Sequence, residues 1–149
     1  MFRRFLIVLS VLTVSVAAFA ACAGKATVDD HMSEAGLQIA ALTVIDGVGF
    51  HGIDTALNGT TPKVDAAWLG KVRHAQVAAR SVPWPKELHP KAKAFSEAAA
   101  KLGDSLEKDD AKGAATPAKA AHETQHALSN GAWEMLAKNA KVGGIAHSD

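Results

Sequence analysis

The chain has 149 residues, with 16 basic and 15 acidic side chains, seven histidines and one cysteine. A charge this close to balance offers no basic stripe for nucleic acid, and a lone cysteine allows no internal disulfide. The length suits one domain able to bury a core.

Met1-Phe2-Arg3-Arg4 is a positive start, followed by an apolar run from Phe5 to Phe19 interrupted only by Ser and Thr. The run falls short of the roughly 20 apolar residues of a membrane span, so residues 1–21 are predicted to be a removable signal peptide. Its removal takes away Arg3 and Arg4 and leaves one acid more than the basic residues. Two cleavage chemistries fit Ala18-Phe19-Ala20-Ala21-Cys22-Ala23-Gly24. Ala18 and Ala20 suit ordinary release at a small-x-small site, which gives a soluble exported protein. The same stretch resembles the lipobox of bacterial lipoproteins, in which small residues precede a cysteine that is acylated and becomes the new N-terminus. Phe19 stands where that family usually has an aliphatic residue. The resemblance implies lipidation of Cys22, a membrane anchor and a place in the cell envelope, with residues 22–27 as a tether.

Abundant alanine and the lack of alternating stretches predict an all-α domain over residues 28–140. The first helix is expected from Val28 to Leu57, with Leu37, Ala41, Val44, Val48 and His51 on its inner face, ended by Asn58-Gly59. Thr61-Pro62 is read as cap and first helical position of a second helix reaching Ser81, with Val64, Trp68, Val72, Ala75 and Ala79 inward. Val82-Pro83-Trp84-Pro85 cannot continue a helix and forms a stiff connection, with Trp84 capping the end of the bundle or meeting a partner. A third helix is expected from Pro90 to Lys108 with Ala94, Phe95, Ala98, Leu102 and Leu106 inward. After a junction over Asp109–Thr116, the last helix spans Pro117–Asn139, and residues 141–149 form a disordered tail. Four such helices with short connections pack most simply as an up-down-up-down four-helix bundle.

The histidines lie at positions 31, 51, 74, 89, 122, 126 and 147. His31, His89 and His147 sit at a helix start, in a junction and in the tail, and are expected to face solvent. His122 and His126 share one side of the last helix, and His51 lies at the same height on the first helix if the two are antiparallel neighbours. Three neutral imidazoles converging on one level suit zinc or copper. Asp46 and Asp54, one turn either side of His51, are placed to ligate or orient an imidazole, and Trp68 is placed beside them. His122-Glu123-Thr124-Gln125-His126 also spells the HExxH of zinc metalloproteases. The later ligands of those families are missing, because Ser129 and Ala132 stand at the metzincin positions and no glutamate follows Glu134. The bundle plan resembles the four-helix cytochromes, but no Cys-x-x-Cys-His is present for covalent haem, and the non-covalent route would need a pair such as His51 and His122. Glu123-x-x-His126 supplies one of the two motifs that a diiron bundle requires.

The leading expectation is therefore a lipid-anchored or secreted bundle that binds copper or zinc through His51, His122 and His126 without catalysing a reaction. The alternative is a structural or partner-binding bundle whose histidines are merely packed. A haem-binding bundle or a zinc hydrolase stands behind both.

Overall fold

The computed structural model describes residues 30–142, with side chains from Glu34 to Ala140. The expected signal peptide, Cys22, the expected tether, His31 and His147 lie outside the residues whose side chains are described. The described residues form α-helices α1 (Asp30–Asp46), α2 (Phe50–Leu57), α3 (Ala66–Ser81), α4 (His89–Glu107) and α5 (Ala111–Val142), with a short 3-10 turn at Lys86–Leu88. No strand occurs among them. The fold is an all-α bundle in which α4 packs against both α3 and α5, and α2 packs against α5.

The expected first helix is two helices. Gly47-Val48-Gly49 interrupts it, with Gly49 at φ +77°, a conformation that costs glycine nothing and other residues dearly. A Cβ at Gly47 would stand 2.9 Å from the Thr43 carbonyl oxygen, so this glycine permits the tight turn. The break resets the helical phase. Gln38, Ala41, Leu42, Ile45 and Val48 face inward on the first segment, and Phe50, Ile53 and Leu57 on the second. Leu37 and Val44, expected inside, are 52% and 43% exposed. His51, expected on the inner stripe, is exposed.

The starts of α3 and α5 also differ from the sequence reading. Asp65, not Thr61, caps α3 by accepting the Ala67 N–H at 2.8 Å, and α3 carries its buried Val72, Ala75 and Ala79 as expected. Helix α5 begins six residues earlier than predicted, at Ala111. Asp109 turns the chain at φ +53°, and Asp110 accepts the Gly113 N–H at 2.8 Å, a cap at the expected reach. Pro117 therefore lies inside α5. It has no N–H for the carbonyl of Gly113, four residues earlier, and Ser105 donates its hydroxyl to that carbonyl at 3.4 Å instead. At its far end α5 continues through Val142, past the point where the tail was expected to begin.

The centre is thin and alanine-rich. Phe95, Leu42, Ile45, Leu57, Leu102, Leu128 and Val72 are the largest fully buried side chains, and Ala75, Ala99, Ala114, Ala118 and Ala121 fill the space between helices. Phe50 on α2 meets Phe95 on α4 edge-to-face, with centroids 5.4 Å apart, a favoured aromatic geometry. Trp84 is buried, as a cap on the bundle end requires, and its indole N–H donates to the Ala79 carbonyl at 2.7 Å. That bond satisfies a carbonyl that the last turn of α3 would otherwise leave without a partner. Gln38 ties α1 to the same segment through the Pro83 carbonyl.

Glu34–Leu57 is long and apolar enough to cross a membrane by length and composition alone. Within the bundle the stretch is broken at Gly47–Gly49 and contributes Leu42, Ile45, Phe50, Ile53 and Leu57 to the core.

Candidate metal centre

The contact between α2 and α5 carries polar side chains along its length. Nearest the start of α5, Asn58 donates to the Ala115 carbonyl at 3.1 Å and to Asp54 at 2.8 Å. One turn further, Asp54 Oδ2 lies 2.8 Å from His122 Nδ1, and these side chains are 19% and 17% exposed. The other nitrogen of the same ring, His122 Nε2, lies 3.0 Å from His126 Nε2. His51 completes the cluster, with its ring centroid 5.0 Å from that of His122.

These distances follow from sequence spacing and from the break in the first arm. The four-residue spacing puts His122 and His126 on one side of α5, and their ring centroids are 4.8 Å apart. After Gly49 the inward residues of α2 are Phe50, Ile53 and Leu57. His51 and Asp54 follow Phe50 and Ile53 by one residue, which turns both toward the rim where α5 passes. Asp54 is half-buried there, whereas His51 and His126 are exposed.

All three predicted imidazoles thus meet, but only His122 and His126 bring ring nitrogens together. Among the described residues no group of three or more His, Cys, Asp or Glu side chains is arranged as a complete metal site. Asp54 takes the orienting position expected of it. Asp46 does not. Its carboxylate accepts from Gln125 Nε2 and Ser129 Oγ, each at 2.6 Å, and from Trp133 Nε1 at 3.1 Å. With three donors it fastens α1 to α5 and points away from the imidazoles. Helix phase explains the difference, because Asp46 lies before the Gly47–Gly49 break and Asp54 after it. Trp68 also falls elsewhere, half-buried in a recess with Ala56, Lys63 and Val64. The seam of Asp46, Gln125, Ser129 and Trp133 was not expected as a unit; its signal was the polar spacing 125, 129, 133 on one helix face.

Among the remaining histidines, His89 is exposed as expected, and its Nε2 donates to the Trp84 carbonyl at 2.6 Å. Glu123, the middle residue of the HExxH-like sequence, is exposed on α5.

Imidazole ligands to zinc lie about 2.0–2.1 Å from the ion, so two such nitrogens stand about 3.3–3.4 Å apart in a tetrahedron and about 2.8–3.0 Å apart at the right angle of a square-planar copper site. The 3.0 Å between His122 and His126 matches the right-angle spacing and is a few tenths of an ångström short of the tetrahedral one. The arrangement of carboxylate, imidazole and open nitrogen is also the one that fixes the tautomer of a metal-binding histidine. The same distance fits a hydrogen bond in which one Nε2 donates and the other accepts. No protein family, curated protein or solved structure matches the chain.

Proposed function

We propose that the bundle binds a single zinc or copper ion at His122 Nε2 and His126 Nε2, without catalysis, with Asp54 holding His122 in the ligating tautomer. The observation that carries this reading is the 3.0 Å approach of the two Nε2 atoms while His122 Nδ1 is occupied by Asp54. His51 becomes the third ligand by turning its exposed ring toward His122, and water or a second ligand takes the remaining position. The rings of His51 and His122 are in contact, which leaves no gap for a porphyrin between them and sets haem behind a bare ion. Glu123 points to solvent, so the zinc-protease use of the motif has no geometric support.

The helix order and short connections fit an up-down-up-down arrangement, and the apolar start with Cys22 fits export with a lipid anchor to the membrane. Replacing Cys22 with Ser is expected to move the protein from the membrane to the soluble fraction; equal release of the unaltered protein would refute the anchor.

The decisive test of the site is calorimetric titration of Zn²⁺ and Cu²⁺ into the protein. His122→Ala and His126→Ala are each expected to abolish binding, His51→Ala to weaken it, and Asp54→Asn to weaken it about 10–100-fold. Glu123→Gln is expected to leave it unchanged. Binding should weaken on acidification, because protons compete for the same nitrogens, and should raise the melting temperature by mass action. Full binding in the His122 and His126 variants would place the ion elsewhere.

A second reading is favoured by the same short contact. If Asp54 accepts from His122 Nδ1–H, then His122 Nε2 accepts from His126 Nε2–H, and the chain of groups is satisfied without an ion. That reading makes the cluster structural, with the bundle serving as a ligand-free or partner-binding module. It requires that neither metal change the melting temperature while His122→Ala lowers it.

A further inference from the structure

A second concavity shares no residue with the imidazole cluster. It has a volume of about 580 Å³ and lies where the end of α3, the Val82–Pro85 connection and the first turns of α4 meet. This volume lies within the roughly 300–1,000 Å³ range of small-molecule pockets.

Its apolar wall is fixed in place. Trp84 is 6% exposed, its indole N–H is held by Ala79 and its carbonyl by His89, so the ring is a rigid platform beside Ala92. Its polar side carries Ser96, Arg80 and Lys93. Ser96 is 7% exposed and lines the cavity. Its hydroxyl can donate to a ligand seated there. Arg80 makes no ion pair among the described residues. Lys93 reaches only Glu97, at 3.9 Å with both side chains largely exposed, a contact of little energy.

We infer that this cavity binds a small amphipathic carboxylate, its carboxylate held by Arg80 and Lys93 with a hydrogen bond from the Ser96 hydroxyl, and its apolar body on Trp84. Charge-assisted bonds to a carboxylate are the strong kind, and the indole supplies apolar contact without further loss of side-chain freedom. Glu97 at the rim selects for a single negative charge, because a dianion would meet its carboxylate.

The test is titration of the ¹⁵N-labelled full chain with sodium octanoate, followed at the Trp84 indole N–H, which is assigned with Trp84→Phe. Octanoate is expected to shift that resonance saturably, whereas octanol and inorganic phosphate leave it in place. Arg80→Gln and Lys93→Gln should each raise Kd about tenfold, Ser96→Ala should raise it less, and Lys71→Gln should not change it. An unchanged melting temperature in Arg80→Gln and Lys93→Gln confirms that the loss is local. The proposal fails if no saturable shift appears, or if the Arg80→Gln/Lys93→Gln double variant binds as the parent does. It also fails if octanol binds equally, which would mean an apolar groove only, or if phosphate does, which would mean an unselective cationic patch.

Discussion

The α3–α4 contact and the α2–α5 contact join helices with different chemistry. On α3 and α4 the buried residues are almost all apolar, from Val72, Ala75 and Ala79 on one side to Ala92, Phe95, Ala99 and Leu102 on the other. Charge enters only at the rim, where Arg73 meets Asp104 at 2.7 Å and Glu107 at 3.3 Å. Between α5 and the α1–α2 arm the seam is instead a succession of hydrogen bonds, from Asn58 through Asp54, His122 and His126 to Asp46. Apolar contacts stabilise in proportion to the area they bury and accept many partners. Polar groups at a half-buried seam cost free energy unless each is paired, so they gain little stability while fixing particular atoms at particular distances. The arm also feeds Leu42, Ile45, Phe50, Ile53 and Leu57 into the common apolar core, so the chemistry is set on the polar rim of that contact and the stability beneath it.

The largest effect is expected from breaking the apolar side. Phe95→Ala removes a fully buried ring and its edge-to-face contact with Phe50, and should cost about 3–5 kcal/mol in denaturant unfolding. A loss below about 1 kcal/mol would mean that the seam, not the apolar core, holds the bundle together.

Asp46→Ala probes the seam at a point away from the imidazoles. It strands Gln125, Ser129 and Trp133, but the residue is exposed and water can replace part of what is lost, so about 1 kcal/mol is expected. The Trp133 indole N–H resonance should move, while metal binding by His122 and His126 stays intact. Loss of metal binding in this variant would join the two halves of the seam into one functional unit and end the distinction between a clamp and a site.

The smallest effect sharpens the rim of the apolar contact. A Cβ at Gly103 would stand 2.8 Å from the Arg73 guanidinium carbon, so Gly103→Ala must displace the head of that flexible side chain. Alanine gains about 1 kcal/mol of helix propensity, and losing an exposed ion pair costs about as much or less. The single change should be nearly neutral in thermal unfolding, and should stabilise by about 1 kcal/mol when Arg73 is already Met. The Arg73 guanidinium is held above its ordinary pKa, first by its hydrogen bond to Asp104 and against the desolvation that lowers it. A raised pKa gives stability that is fully present below the unfolded value and lost only in strong alkali, so raising pH through neutrality should not alter this cycle, whereas added salt should shrink it.

Much of this architecture was legible from local chemistry. Alanine content and apolar spacing gave the all-α class; Pro83-Trp84-Pro85 marked the connection between α3 and α4, and Pro90 marked the start of α4. The four-residue spacing of His122 and His126 placed them together because it is a property of one helix. What the sequence reading missed came from places where local signals compete. Thr61-Pro62 looked like a helix start, but Asp65 caps α3. Pro117 looked like another, but Asp110 caps α5 and Ser105 serves the carbonyl that the proline leaves free.

Sequence by itself determined the all-α class and the pairing of His122 with His126, because both depend on residues within a few turns of each other. Only the tertiary structure decided which carboxylate meets the imidazoles and whether His51 faces inward. Those outcomes depend on the helical phase after the break at Gly47–Gly49, which periodicity does not register, and on which face of α5 then lies opposite.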